Sequence, residues 1–231
     1  MSAKKPEPFQ VEIPEAQTCC GQPGYNPGDF AATGKVAKQV IETFSHFDYV
    51  VVPSGSCAGM LRLHYPNLFQ SDAEWLQKAN TLSAKTYELT SFLTDVMHFR
   101  PTAVNKLNNK RVTYHDACAG LRELGIKHQP RKLLQQCANL TVTEMEKTEE
   151  CCGFGGTFCA KMPLISETLV TDKLHCALAT EADLLLAGDL GCLLNIAGRA
   201  RRLHKTIEVR HVAEVLADKL DQPGIGAGET A

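Results

Sequence analysis

The feature that most constrains this chain is a pair of neighbouring thiols set in a glycine-rich turn, Cys151-Cys152-Gly153-Phe154-Gly155-Gly156-Thr157, with an echo at Cys19-Cys20-Gly21-Gln22-Pro23-Gly24-Tyr25. Structural cysteines buried for packing have no reason to occur side by side and to recur in the same setting, so the recurrence marks a site. Two adjacent sulfurs can face one centre only if the backbone bends sharply. Glycine permits the bend and lets backbone N–H groups approach the sulfurs.

The repeat extends beyond the turn. Buried strands are predicted at Phe47–Val52 and Ala182–Ala187, and each delivers a cysteine just past its C-terminal end, Cys57 in Ser54-Gly55-Ser56-Cys57 and Cys192 in Gly188-Asp189-Leu190-Gly191-Cys192. Aligned on the thiol pairs the halves are offset by 152 − 20 = 132, and on the later cysteines by 192 − 57 = 135, a drift that one small loop insertion explains. Both halves share the order strand, Cys-Cys-Gly, helix, buried strand, cysteine, helix. The predicted fold is α/β, with two pseudo-repeated small domains, each a mainly parallel sheet with flanking helices. The second half also has a strand at Arg111–Tyr114 and a cysteine, Cys118, placed 151 − 118 = 33 residues before its thiol pair, whereas eighteen residues precede Cys19. The first domain therefore lacks its opening βα unit.

In order, the pattern predicts a flexible tail over 1–10, a first domain over 11–99, a linker over 100–110, a second domain over 111–220 and a disordered tail over 221–231. Within these, Val11–Ile13 reads as a short strand, and Ser71 with Glu74 as a capping box that starts a helix. Gly125 reads as a helix C-cap. Met162, Ile165, Leu169 and Cys176 fall on one helical stripe, which makes Cys176 core rather than ligand.

A net charge of −2 gives no electrostatic reason to expect nucleic acid. The N-terminus has lysines but no apolar stretch of signal-peptide type, and no run of about 18 apolar residues predicts a membrane span. A cytoplasmic protein is expected, and ten cysteines in a reducing compartment point to metal or redox chemistry.

Counting ligands half by half, the second offers Cys118, Cys151, Cys152 and Cys192 from three loops at one edge of a parallel sheet. Four thiolates suffice for a cubane 4Fe-4S cluster. The first half offers Cys19, Cys20 and Cys57, so one firm cluster is expected in the second domain and a weaker one in the first. Zinc also accepts four cysteines, but its sites usually draw them in pairs two to four residues apart. A strained vicinal disulfide in each half would leave Cys57, Cys118 and Cys192 unexplained. Backbone N–H groups of Gly153, Gly155, Gly156 and Gly191 are candidate donors to sulfur, and His115 a candidate positive charge beside the site, its plainer role being a strand-end histidine bound to solvent or a carbonyl. Cys137 and Cys159 remain unassigned. No nucleotide fingerprint, phosphate loop or serine elbow is present, which leaves electron transfer.

The two Cys-Cys-Gly turns, Pro53-Ser54-Gly55-Ser56-Cys57, Gly188–Cys192 and Tyr114-His115-Asp116-Ala117-Cys118 together resemble the cysteine-rich domains of heterodisulfide reductase and of the glycolate oxidase iron–sulfur subunit. Through Cys-Cys-Gly-Gln-Pro and Cys-Cys-Gly-Phe-Gly-Gly-Thr-Phe the chain is similar to the lactate utilization protein A family over about residues 11–220. That resemblance implies an iron–sulfur subunit of a cytoplasmic complex with two other lactate utilization proteins, oxidising L-lactate to pyruvate with a flavin-dependent or other redox partner. It also implies an N-terminal unit in close members. The broader pattern ends in Cys-x-x-Cys, but Met60 and Asn195 stand at the last position here, which argues against a five-cysteine noncubane cluster. A subunit of glycolate oxidase or heterodisulfide reductase type, and a zinc-stabilised scaffold without redox function, are the alternatives. The absent unit predicts an open sheet edge and self-association.

Overall fold

A computed structural model describes residues 9–101 and 109–227 and contains two parallel sheets, of two and four strands, with helices against them. In the first half α1 (Gln22–Tyr25) follows directly from the Cys-Cys-Gly turn. Then α2 (Phe30–Thr43) is capped by Asp29, which accepts from the Ala32 N–H at 3.0 Å, and buries Ala37, Val40 and Ile41 as its apolar spacing requires. Strand β1 (Val50–Val52) leads into α3 (Gly55–Gly59), which continues through a wider π-type turn at Met60–His64 into α4 (Tyr65–Leu68). Helix α5 (Ala73–Lys85), β2 (Thr86–Glu88) and α6 (Leu89–Ser91), prolonged by a second π-type turn at Phe92–Val96, complete it.

The second half runs β3 (Lys110–Tyr114), α7 (Cys118–Leu124), α8 (His128–Leu134), β4 (Leu140–Val142), α9 (Phe158–Lys161), α10 (Pro163–Ala179), β5 (Leu184–Ala187), α11 (Leu190–Arg202), β6 (Glu208–His211) and α12 (Val212–Leu216). Its strand order is β4-β3-β5-β6, all parallel. Every residue of β5 is buried. Successive side chains of a strand point to opposite faces, so Leu185 and Ala187 pack with Val170, Leu174, Leu193 and Ile196 of α10 and α11. Leu184 and Leu186 pack on the other face, with Val112, Val212 and Val215. Crossover helices bring the C-terminal ends of β3 and β5 to one edge, which is where Cys118 and Cys192 stand in the first turns of α7 and α11.

By register and sequence β1 and β2 correspond to β5 and β6, and the smaller sheet has no counterpart of β3 or β4 among the described residues. Val11–Ile13, predicted as a strand, is irregular and its apolar side chains are exposed, since no neighbouring strand offers hydrogen bonds. One face of β1 packs through Val50 and Val52 on α2 and α5. The opposite face carries Tyr87, whose ring lies 5.8 Å from Phe92, and Phe92 lies 5.4 Å from Phe9. Phe9 thus joins an aromatic cluster with Tyr49 and Phe92.

Other differences have local causes. Asp72, not Ser71, caps α5, accepting from the Trp75 N–H at 3.3 Å. Helix α10 buries Ser166, Val170, Lys173, Leu174 and Ala177, while Met162 and Ile165 are exposed, so the core face is turned away from the predicted stripe. Cys176 still packs against the core. Gly125 ends α7 with φ 68°, as its position predicts. Within residues 221–227 the Ile225 N–H donates to Val209 O of the second sheet at 2.8 Å. Most of the predicted linker, 102–108, falls outside the described residues.

The two halves meet where α3 crosses α7. A Cβ on Gly55 would stand 2.8 Å from the Cα of Gly120, a distance only glycine allows. Beside this crossing His211 Nε2 donates to Pro53 O at 2.8 Å, its Nδ1 being occupied by the Ala213 N–H.

Candidate metal centre

Each Cys-Cys-Gly turn is built the same way. Gly153 has φ 80° and Gly21 φ 84°, a left-handed conformation that other residues adopt at a cost, and a Cβ on Gly153 would lie 2.6 Å from Ser166 O. The bend aims the N–H two residues on at each thiol. Gly153 N–H reaches Cys151 Sγ at 3.3 Å and Gly21 N–H reaches Cys19 Sγ at 3.5 Å, while Phe154 and Gln22 supply the backbone bonds to Cys152 and Cys20. Of the four glycines proposed as donors only Gly153 donates to sulfur. Gly191 N–H is taken by Asp189 Oδ1 at 3.2 Å, and Gly155 and Gly156 contribute carbonyls that accept from Phe158 N–H and the Cys159 thiol. The offset of two was readable in the repeat, because Gly21-Gln22 and Gly153-Phe154 share nothing at the second position except a backbone N–H.

The carbonyl of the second thiol residue is also held in both halves, by different side chains. Tyr65 Oη donates to Cys20 O and Asn195 Nδ2 to Cys152 O, each at 2.8 Å. Asn195, at the position where the broader pattern has a cysteine, therefore fixes the turn.

In the second half the four thiols are close enough to influence one another's ionisation, Cys151 with Cys118 and Cys152, and Cys152 with Cys192. Proximity to Cys118 and Cys152 lowers the Cys151 thiol, and the same interactions raise both partners. His115 completes the group. Its ring and the sulfurs of Cys152 and Cys192 present ligand atoms all within 4.8 Å of one another, the three side chains being buried.

His115 is not the positive charge expected. Burial, and then the nearby Lys173 ammonium, hold it down to about 3, so the ring is neutral. Neither ring nitrogen has a partner in good hydrogen-bonding geometry among the described residues, since the nearby Thr148 carbonyl accepts from Lys173 Nζ at 3.2 Å. The cation beside the site is Lys173, 2% exposed and also bonded to Lys147 O. Sequence reading missed it, because a lysine inside an apolar helix pattern reads as solvent-facing. A buried ring with two unpartnered nitrogens beside the sulfurs of Cys152 and Cys192 fits a metal or iron–sulfur group that completes its bonding. Sulfide and thiolate supply acceptors for the ring N–H, and a buried group left unsatisfied costs about 1–3 kcal/mol.

The first-half group is smaller. Cys20 Sγ lies 3.2 Å from Cys57 Sγ, and the bond it donates lowers Cys57 to about 7, while Cys19 is exposed. No fourth thiol completes it among the described residues. Cys137 is in the apolar cluster beneath β3 and α12, and Cys159 bonds Gly156 O at 3.2 Å.

The fold and its paired thiol sites define a protein of duplicated cysteine-rich domains. The family model of the CCG cysteine-rich domain matches residues 4–62 and 112–197. The chain is 49% identical over 213 residues to lactate utilization protein A 2 of Bacillus cereus (strain Q1), covering 92% of this chain and 87% of that protein. It is 48% identical over 207 residues to lactate utilization protein A of Geobacillus sp. (strain WCH70), covering 90% and 86%. The chain belongs to the lactate utilization protein A family.

Proposed function

We propose that this chain is the iron–sulfur electron-transfer subunit of a cytoplasmic complex that oxidises L-lactate to pyruvate, working with two other lactate utilization proteins. The observation that carries the reading is the grouping of the Cys152 and Cys192 sulfurs with the unpartnered His115 ring, beside thiols Cys118 and Cys151 that are electrostatically linked to them. Names of relatives that cover most of their length support lactate as the substrate of the system. No helix among the described residues is long and apolar enough to cross a membrane.

A 4Fe-4S cluster held there would supply a one-electron carrier. The chain's own residues then set how readily the electron is accepted. Gly153 and Phe154 N–H groups donate to the thiolates, and the buried Lys173 ammonium offsets their negative charge, both of which favour the reduced state. Lactate itself meets no free buried arginine among the described residues. Arg131 is engaged by Asp116 and Glu144, and Arg210 by Glu208 and Glu214.

Anaerobic reconstitution of the full chain with ferrous iron and sulfide tests this. A brown protein with broad absorption near ~400 nm and roughly equal iron and sulfide is expected. A colourless chain that takes up zinc in place of iron would favour the scaffold reading instead.

A further inference from the structure

Cys57 and Cys192 belong to different halves, yet the turns that carry them share one carboxylate. Asp189 caps its own helix, α11, through the Gly191 N–H at 3.2 Å. Its other oxygen, Oδ2, crosses between the halves and accepts from Ser54 Oγ at 2.9 Å and from the Ser56 N–H at 3.1 Å, in the first turn of α3. The side chain is 5% exposed. Cys57 follows Ser56 directly, and Cys192 stands three residues after Asp189. On the other flank α3 crosses α7, whose first residue is Cys118. Both thiol groups therefore hang from one rigid seam with a buried anion at its centre.

We infer that Asp189 is a positioning residue of both sites, and that its charge, set by the Ser54 donor in the opposite half, tunes the reduction of the second-half cluster across the seam. The inference rests on the iron–sulfur reading above. Its physical basis is that a buried carboxylate is screened little by solvent, so a site several ångströms away feels it. Asp189 Oδ2 holds the turn that carries Cys57, and its residue caps the helix that carries Cys192, so the carboxylate stands beside both sets of thiols. An anion that disfavours added negative charge at a neighbouring thiol disfavours an added electron at a cluster for the same reason. A hydrogen bond donated by Ser54 spreads that charge, and removing it concentrates the charge again.

The two substitutions therefore act in opposite directions. Asp189→Asn removes the charge and keeps an acceptor oxygen on one side only, towards Gly191 or towards Ser54 and Ser56. Ser54→Ala keeps the charge and removes one donor, from a residue that touches no thiol of the second half. Full chains reconstituted anaerobically with ferrous iron and sulfide are compared by iron content and by dithionite titration followed by electron paramagnetic resonance. All three chains are expected to hold the same iron. Asp189→Asn should favour reduction by about tenfold, which is about 59 mV for one electron, and Ser54→Ala should disfavour it severalfold. An unmoved potential in Ser54→Ala overturns the inference, because the charge would then act only within its own half. If Asp189→Asn loses its iron through misfolding, Ser54→Ala decides alone. A wild-type chain that takes up no iron would overturn the electron-transfer reading and this inference with it, whereas iron retained with unmoved potentials overturns this inference only.

Discussion

A histidine ring sealed from solvent with neither nitrogen partnered is unfavourable unless something outside the polypeptide completes it. In the metal-free chain the two orphaned nitrogens of His115 each cost about 1–3 kcal/mol, and an apolar side chain of similar volume removes that cost. His115→Leu should therefore leave the melting temperature of the chelator-treated chain unchanged or higher, by about 1 kcal/mol, while the reconstituted variant loses iron faster in air than wild type. Differential scanning calorimetry with and without iron reads both arms. A metal-free variant that melts well below wild type would show that the ring is ordinary core. The carbonyl clamps predict the opposite pattern. Asn195→Leu or Tyr65→Phe leaves a carbonyl of a thiol turn without its 2.8 Å partner, which should destabilise by about 1–2 kcal/mol with or without iron.

Among the elements, the thiol turn is the most exacting. Gly153→Ala puts a methyl group 2.6 Å from a backbone oxygen of α10 at a φ of 80°, so either the turn opens or α10 shifts. Iron uptake in the second half should fall at least tenfold relative to wild type, as measured by bound iron after desalting; full uptake would mean that the turn does not set ligand geometry. The turn, β5 and the cysteine after it could all be read in the chain because each writes a local pattern: adjacent thiols with glycine, four apolar residues in a row, a cysteine past a strand. What could not be read depends on partners distant in sequence. Thr86-Tyr87-Glu88 looks like the polar end of α5 and becomes β2 only because Val50–Val52 lies alongside it. Val11–Ile13 alternates like a strand and has nothing to pair with. Lys173 and Asp189 look like surface charges until the carbonyls of Lys147 and Thr148, and the Ser54–Ser56 turn of the other half, are brought to them.

Over the whole molecule the two sites are unequal, and this fixes how much iron the chain should hold. In the second half the sulfurs of Cys152 and Cys192 and the buried His115 ring lie within 4.8 Å of one another, with Cys118 and Cys151 electrostatically linked to Cys152. The first half has two thiols in contact at 3.2 Å and a third, Cys19, exposed, with Cys137 and Cys159 both committed elsewhere. A cubane cluster normally takes four protein thiolates. The chain should therefore keep about four irons after desalting under mild oxidation, and Cys152→Ser should remove nearly all of them. Cys57→Ser should remove few, and Cys176→Ser none. The two-stranded sheet adds a second expectation. The outer edge of β1 has no strand beside it among the described residues, and Val51 and Tyr49 remain 37% and 42% exposed on it. An unpaired edge with apolar side chains is a surface that proteins normally cover, so self-association through this edge is expected at micromolar concentration. Sedimentation equilibrium of wild type and Val51→Lys compares the two directly, with wild type heavier than a monomer and the variant shifted towards one. A monomer that retains eight irons would contradict both expectations at once, because the first half would then have completed its ligand set without another chain.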